Sequence, residues 1–427
     1  MDVSPTEFAV WAMPIFLASI AVEVVVSRAR DPGRYSLGTA LSDLSVGGVY
    51  QALEVCIHGV LLVGYAGVHE RFGALQLSES NPWTWVLGLL GVDFLFYWWH
   101  RMSHVVNTLW AVHGVHHQGE DFNLAVALRQ PAFEPLTWFL FYVALAFIGV
   151  PPVVYLWSYA VNRLYQFWIH TEYIDRTPAW FEWLFNTPSH HRVHHGVDEV
   201  YLDKNYGAVL IVWDRLFGTF EREAQRPTYG TTNQLASYNP VWANFEHFVL
   251  CGKIMREAPR WRDKVWVWFA HPAWRPGQGR VRTSPDKIRE RRDAVKYRPQ
   301  APARLAWYVL VQFLVFAPSV TALVRLRTAL TWWELGVGAA AVAFGQLVLI
   351  SLLESKRWAR PSEFVRLLML GAGTAWLTWS YGPREFAPLM MATTSAFVVV
   401  SIAAFVWAFR SPLTTVSDGP VLESSRA

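Results

Sequence analysis

Ten of the fourteen histidines in this chain fall in a few short stretches. Residues 99–117 read WHRMSHVVNTLWAVHGVHH, with the clusters HRMSH and HGVHH, and SHHRVHH follows at 189–195 with His170 between them. Residues three and four apart on a helix are neighbours on one face. His100 and His104 therefore point the same way. So do His113, His116 and His117 as one set, and His191, His194 and His195 as another. Asp93, Tyr97, His100 and His104 make a polar stripe, and Asn162, Gln166 and His170 make a second. Polar groups in hydrocarbon are costly and face a protein interior or cavity, so the two stripes converge on one centre.

Neutral imidazole is a common metal ligand. Nine imidazoles in these clusters exceed the four ligands of a tetrahedral zinc site. They suit two ions of higher coordination number with positions left open. Iron is the natural candidate, because imidazole suits it and redox chemistry beside lipid needs an electron-active metal; a zinc hydrolase is the alternative within the metal reading. Cys56 and Cys251 are the only cysteines, too few for a thiolate site or a disulfide framework.

The rest of the chain must position this centre. It is 53% hydrophobic with 24 Trp, and about 20 apolar residues suffice to cross ~30 Å of hydrocarbon. The apolar runs predict nine spans: 7–26, 45–68, 83–99, 132–150, 153–168, 303–322, 332–353, 364–381 and 386–409. Residues 171–302 are polar, rich in Arg and Lys, and contain no span. The expected fold is all-α, a polytopic membrane helical bundle of about nine spans with a cytosolic, histidine-rich di-metal cap. Its expected parts are N-terminal spans (1–82), a histidine-box core (83–220), a cytosolic or interfacial segment (221–302), C-terminal spans (303–410) and a disordered tail (411–427). The first run lacks a basic leader and a small-residue cleavage site and reads as a retained helix. Arg28, Arg30 and Arg34, with Lys356, Arg357 and Arg360, place the histidine face in the cytoplasm by the positive-inside rule; Arg325 and Arg327 on the other face run against it. The net charge of +4 is dispersed between apolar runs, which argues against nucleic acid and for loops facing an anionic leaflet. The segment RWRDKVWVWFAHPAW at 260–274 reads either as an interfacial helix or as an aromatic packing segment of the cytosolic part.

The boxes HRMSH, HGVHH and HHRVHH resemble those of the fatty acid hydroxylase/sterol desaturase superfamily of integral membrane di-iron oxygenases. DFLFYWWHRMSH, HGVHHQGEDFNLAVALRQP, NRLYQFWIHTEY and FNTPSHHRVHHGVDEVYLDKNYGAVLIVWDRLFGTF are most similar to its alkylglycerol monooxygenase branch, over about residues 93–220. The resemblance implies two iron ions, O2 as co-substrate, a lipid substrate drawn from the bilayer, an electron donor it does not identify, and hydroxylation of an alkyl or acyl chain. It implies His100, His104, His113, His116, His117, His170, His191, His194 and His195 as ligands, with His190 as an additional ligand or a neighbour of one. Ligating imidazoles usually donate their other N–H to a carboxylate or carbonyl; Asp93, Glu172 and Asp214 are candidates for that role or are ordinary structural polar groups. Arg129 and Gln130 could contact a headgroup or reductant, or cap the following helix. The branch brings tetrahydrobiopterin with it, but Val105 stands where that branch carries an acidic residue after the first box, which counts against pterin dependence.

The runner-up is a sterol-type desaturase or hydroxylase using the same centre. From another class, a histidine-rich metal transporter would spread polar residues along several spans, whereas here they gather at one face. Glu54 and His58 either line a substrate tunnel or form a buried pair. His69, His247 and His271 lie outside the boxes and are read as non-ligands, and Asn205 and Tyr206 as a loop that orders the last helix of the site.

Overall fold

The computed structural model describes residues 5–277 and 283–409; the tail expected at 411–427 lies outside them. The chain is all-helical. The helices are α1 (Pro5–Arg30), α2 (Leu37–Phe72), α3 (Pro82–Val105), α4 (Asn107–His117), α5 (Glu134–Ile148), α6 (Pro152–Trp168), α7 (Ala179–Leu184), α8 (Pro188–His194) and α9 (Val212–Phe217). Then come α10 (Pro240–Glu257), α11 (Trp261–Trp266), α12 (Pro285–Asp293), α13 (Ala303–Phe316), α14 (Pro318–Leu326), α15 (Trp332–Leu353), α16 (Ala359–Tyr381) and α17 (Ala387–Phe409). No strand occurs among the described residues, which hold two isolated bridges, Phe185 with Leu210 and Gly196 with Tyr229.

Local chemistry explains where helices begin. Proline sits in the first turn of α3, α5, α6, α8 and α10, where its missing N–H removes no helical bond. Asn81 caps α3 by accepting from the Trp83 N–H at 3.0 Å, and Asn239 caps α10 through the Val241 and Trp242 N–H groups. Thr331 and Glu334 close a reciprocal capping box at the start of α15.

Among the described residues, five helical stretches are long and apolar enough to cross a membrane: Ala12–Arg30, Leu37–Phe72, Ala303–Leu326 (α13 with α14), Trp332–Leu353 and Ala387–Phe409. The other four expected spans are helices too, but shorter or more polar. α5 has 15 residues, about 22 Å of helix. α3 carries Asp93, His100, Arg101 and His104, α6 carries Arg163, and α16 carries the buried pair Glu363 and Arg366. The span expected from residue 45 starts earlier, at Leu37, because the polar Asp43 is taken up by Arg129.

α3 and α6 run in the same direction and deliver their histidines to one end of the bundle. At the opposite end the Ala74 and Leu75 N–H groups donate to the Phe147 and Ile148 carbonyls, tying the α2–α3 turn to the α5–α6 turn. Gly149, with φ 105°, closes α5 there; a Cβ on it would lie 2.0 Å from the Leu75 carbonyl oxygen. At the histidine end Glu23 of α1 accepts from Thr171 Oγ1 and the Leu124 N–H. α15 packs along α2, with Ser45 donating to Gln346 at 3.0 Å, and Glu354 just past α15 accepts from the Tyr238 N–H and the Tyr297 hydroxyl. The described residues of 171–277 and 283–302, and residues 354–360, therefore share the histidine end, and the α14–α15 connection with Arg325 and Arg327 lies at the other.

Candidate metal centre

Three local breaks aim the histidines. α3 stops at Val106, whose extended backbone (φ −119°, ψ 119°) turns the chain straight into α4. His170 stands two residues past the end of α6, and Pro188 starts the short α8. Gly47 lets α2 approach the loop that follows α4, since a Cβ there would lie 2.1 Å from the Leu128 carbonyl oxygen.

Nine buried imidazoles form two groups. His100, His104, His113, His117 and His194 make the first; His116, His170, His191 and His195 make the second. Within each group one nitrogen per ring lies within 4.8 Å of all the others. The HxxHH boxes do not each keep one face, as their spacing suggests. In HGVHH the outer pair His113 and His117 joins the first group while His116 crosses to the second. In HHRVHH the outer pair His191 and His195 joins the second group while His194 crosses to the first. Successive helical residues are rotated by about 100°, so adjacent histidines diverge, and each box lends its middle member to the other's site.

The ring nitrogens fit a cation. His100 Nδ1 lies 2.8 Å from the Tyr206 carbonyl oxygen, His116 Nδ1 3.0 Å from that of Arg129, His170 Nδ1 2.7 Å from that of Gln166 and His194 Nδ1 3.0 Å from that of Lys204. A neutral ring donating from Nδ1 keeps its lone pair on Nε2. The Nε2 atoms face one another: His170 and His116 at 3.1 Å, His191 and His170 at 2.9 Å, His194 and His117 at 3.1 Å. Such converging lone pairs repel without a positive charge between them. His104 Nε2, His113 Nδ1 and His191 Nδ1 are buried with no hydrogen-bond partner, which an unliganded interior does not normally tolerate. Burial lowers the basicity of these rings. It takes His116 down to about 4 and holds His117, His191, His194 and His195 well below the ordinary histidine value, with neighbouring imidazoles adding to the effect. All are then neutral near pH 7, the form that ligates.

Around the rings, the other residues singled out in the sequence fall at varied distances. Asp214 accepts from the Tyr206 and Gly207 N–H groups at 2.7 Å each and from Thr219 Oγ1. It thereby holds the peptide whose carbonyl receives His100. Asp93 accepts from Asn162, the Val209 and Leu210 N–H groups and the Trp213 indole, joining α3, α6 and the start of α9 without touching a histidine. Glu172 accepts from the Tyr229 hydroxyl at 3.1 Å; Tyr229 stacks on Phe122, which stacks on His170. Arg129 is buried, bonded to the Val115 carbonyl, Asp43 and Gln118, so it fixes the end of α4 from within the protein. Gln130 donates to the Ala127 carbonyl and accepts from Arg163. His190 lies outside both groups, with Nδ1 3.3 Å from Thr187 Oγ1 and its ring against Phe220.

Arg192, Asp203 and Lys204 were not singled out in the sequence. Arg192, inside HHRVHH, is fully buried. It binds both oxygens of Glu223 and the carbonyls of Thr171, Ile174 and Asp175. This clamps the strand of chain after His170 onto α8. Asp203, left-handed at φ 59°, sets its carboxylate 3.8 Å from His104 Nδ1 and 3.4 Å from His271 Nε2. Burial works to raise its pKa, but hydrogen bonds to the two imidazoles prevail and hold it well below the usual carboxylate range. Lys204 contributes its main-chain carbonyl and Tyr206 both its carbonyl and a ring set edge-on against His100, His104 and His194, with Asn205 between them bonded to the His190 carbonyl and the Glu221 backbone. The expectation that this loop orders the last helix matches that placement.

A cavity of about 1130 Å³ reaches the histidines. His100, His113, His116, His170 and His191 line its inner end, and its wall runs along α2 from Leu44 to Leu62, about 27 Å of helix. The lining is mostly apolar, from α1, α2, α6, α13, α14 and α15; Gln130, Glu134, Arg163, Glu54 and His58 are among its polar members, with Arg325 and Arg327 at the far end. Arg163 donates to Glu134 and Gln130 at 3.0 and 2.7 Å, and Glu54 lies 3.7 Å from His58. Both residues face the cavity, and they are partly exposed and beyond hydrogen-bond distance, not the buried hydrogen-bonded pair that was one expectation.

The profile of the Fatty acid hydroxylase family matches residues 85–219, the stretch that carries every histidine of both groups. The chain is 35% identical to the alkylglycerol monooxygenase of Homo sapiens over 404 residues, 94% of this chain and 88% of that one. Identity to the alkylglycerol monooxygenase of Xenopus tropicalis is 38% over 301 residues, 70% of this chain and 67% of that one. It is also 25% identical to the lathosterol oxidase of Homo sapiens over 174 residues, 40% of this chain and 56% of that one. No solved structure gives a significant match.

Proposed function

The chain belongs to the alkylglycerol monooxygenase family and is a membrane lipid-chain monooxygenase, and from that premise we propose that its two histidine groups hold two iron ions which use O2 to hydroxylate a lipid alkyl chain. The single observation that carries this reading is the meeting of two buried imidazole groups, of five and four, with the inner end of a largely apolar cavity. When bound, the iron pair would supply O2 activation for oxidising a C–H bond, with O2 as the oxidant and two electrons per turnover drawn from an external donor.

The protein's own residues do the rest. One ion would be held by His100, His104, His113, His117 and His194, and the other by His116, His170, His191 and His195. Backbone carbonyls keep four of those rings in one tautomer and orientation, and the Asp203 carboxylate faces a fifth, His104. The wall formed by α2 and α6 excludes water and lays the chain alongside the histidines. Gln130, Glu134 and Arg163, close to His170 on the chain or in the wall, receive a polar part of the lipid.

We place the histidine end in the cytoplasm, because Arg28, Arg30, Arg34, Lys356, Arg357 and Arg360 all belong to it. The apolar Val105 beside His104 counts against tetrahydrobiopterin as reductant, so turnover is to be assayed with and without it. The deciding experiment combines metal analysis of iron-replete protein with lipid profiles of cells overproducing the chain or its His194→Ala variant. Two irons per chain and hydroxylated lipid in the first strain alone are expected. One tight zinc, or identical profiles, defeats the reading.

A further inference from the structure

The hairpin of α10 and α11, with the loop to residue 274, supplies no member of either histidine group and reaches the site described above through His271, which contacts Asp203. It has a small core of its own, Ile254, Val267, Ala270 and Trp274. Its outward surface is far more apolar than a water-facing cap requires. Along α10 the exposed residues are Trp242, Phe245 and Val249 and then Lys253, Arg256 and Glu257, one stripe that turns from apolar to charged. On α11 and just after it, Trp261, Trp266 and Phe269 are 71%, 54% and 60% exposed. Between residues 253 and 264 there are five basic and two acidic side chains.

This surface continues one that faces lipid. Phe245 packs edge-on against Phe133 at 5.5 Å between ring centres, and Phe133 begins α5, whose Leu136 and Leu140 are exposed on the outside of the bundle. α10 also packs against α2 and α15, two of the spanning helices, so it stands beside the bundle where the bundle leaves the bilayer. Tryptophan with Arg and Lys is the composition favoured at the headgroup level, and basic residues there gain from anionic lipid.

We infer that the α10–α11 hairpin is seated in the interface of the leaflet on the histidine side, its Trp261, Trp266 and Phe269 inserted among lipid headgroups and acyl ends. The occupant of this face is the lipid surface. The seat is joined to a ligand helix: the Asn107 N–H donates to the Ala270 carbonyl at 2.8 Å, the Thr108 N–H and hydroxyl donate to that of Trp268, and Asn107 Nδ2 donates to that of Val267. Those bonds satisfy the free N–H groups at the start of α4, five residues ahead of His113. The depth of the hairpin in the interface thus sets the level at which α4 stands.

The test uses full-length protein in phosphatidylcholine vesicles containing phosphatidylglycerol. Cys56→Ser and Cys251→Ala leave a background for a single nitroxide at Trp266→Cys or Phe269→Cys, with Trp261→Cys as a third position should one of these disturb the hairpin. Collision with O2, which concentrates in lipid, is compared with collision with a water-soluble nickel chelate. Labels at 266 and 269 are expected to favour O2 several-fold, while a label at Glu290→Cys on the exposed side of α12 favours the chelate. Equal behaviour at 266, 269 and 290 overturns the seat in lipid, and spin–spin broadening at 266 would replace it with contact between two copies. Neither readout depends on turnover, so failure of the oxygenase reading leaves this result interpretable.

Discussion

Arg192 and Glu223 form a two-point ion pair, Nε to Oε1 at 2.8 Å and Nη2 to Oε2 at 2.7 Å, in the interior immediately behind the second histidine group. Removing one partner of a buried pair strands the other charge and costs about 3–5 kcal/mol. Arg192→Ala is therefore expected to lower the yield of folded protein and its bound iron together. Lysine offers a point charge where the site uses a fork, so Arg192→Lys should also lose most of its iron. Metal analysis after detergent purification reads the effect; a lysine variant with full iron would remove the clamp from the account of the site.

His194 and His190 are four residues apart on one small helix, yet only His194 belongs to a group. His194→Ala should lose activity and at least one iron, whereas His190→Asn should keep both irons and most of its turnover. Iron counting on the two purified variants decides it. Equal loss in both would mean that His190 is a ligand.

Asp214 acts on the centre through a peptide, not through a ring. Asp214→Asn gives up two charge-assisted bonds to the Tyr206 and Gly207 N–H groups, so the carbonyl that receives His100 loses its anchor. Outer-shell changes of this kind typically cost 10–100-fold in metal affinity or activity, and a loss in that range is expected from competition with a chelator. An affinity unchanged from wild type would reduce Asp214 to a packing residue.

Gly59 faces the cavity, and a Cβ built on it meets nothing within 4 Å. It lies twelve residues beyond Gly47, about 18 Å further along α2. Gly59→Phe fills that part of the cavity without crowding the backbone. The variant should keep its iron and its turnover of short-chain lipid while long chains are lost, as seen in product profiles over a chain-length series. Uniform loss at every length would show that chains do not run along α2.

His247 is a non-ligand held neutral by burial. Its Nε2 is 2.8 Å from Asn107 Oδ1, and its pKa falls from 6.5 to about 4. The unfolded chain takes up a proton there as the pH drops past 6.5, and the folded one does not until about 4. Its contribution to stability is therefore complete above pH 6.5, is lost through that window and levels off below it. His247→Gln should flatten the fall in melting temperature between pH 7 and 4. A variant whose profile superimposes on wild type would exclude His247 as a source of the acid sensitivity.

Much of the centre was legible because helical spacing converts directly into shared faces. That is why HRMSH, HGVHH and HHRVHH announced a metal site, and why the Asp93 and Asn162 stripes pointed to one end of the bundle. Spacing could not divide the ligands, because a set at i, i+3 and i+4 looks like one face until a second box arrives from the other side. Arg192 was hidden by its surroundings: within a histidine run a lone arginine reads as solvated charge, and its five bonds go to chain as far away as residue 223. Span counting was limited by function itself. The helices that line the site carry polar residues at its level, which lowers the apolar signal in α3 and α6.

The exchange of middle histidines between the two boxes bears on how the centre is loaded. Neither group is complete without a ring from the other box, and the boxes are separated by more than seventy residues of chain. A nascent chain stalled before residue 194 has neither ion site in full, whatever the metal supply. Filling one site also draws α4 and α8 together in the arrangement the other requires, so the second ion enters a binding pocket already assembled. Partly loaded protein should be scarce, and a titration of apo chain with ferrous iron should pass from empty to two ions with little of the one-ion form between.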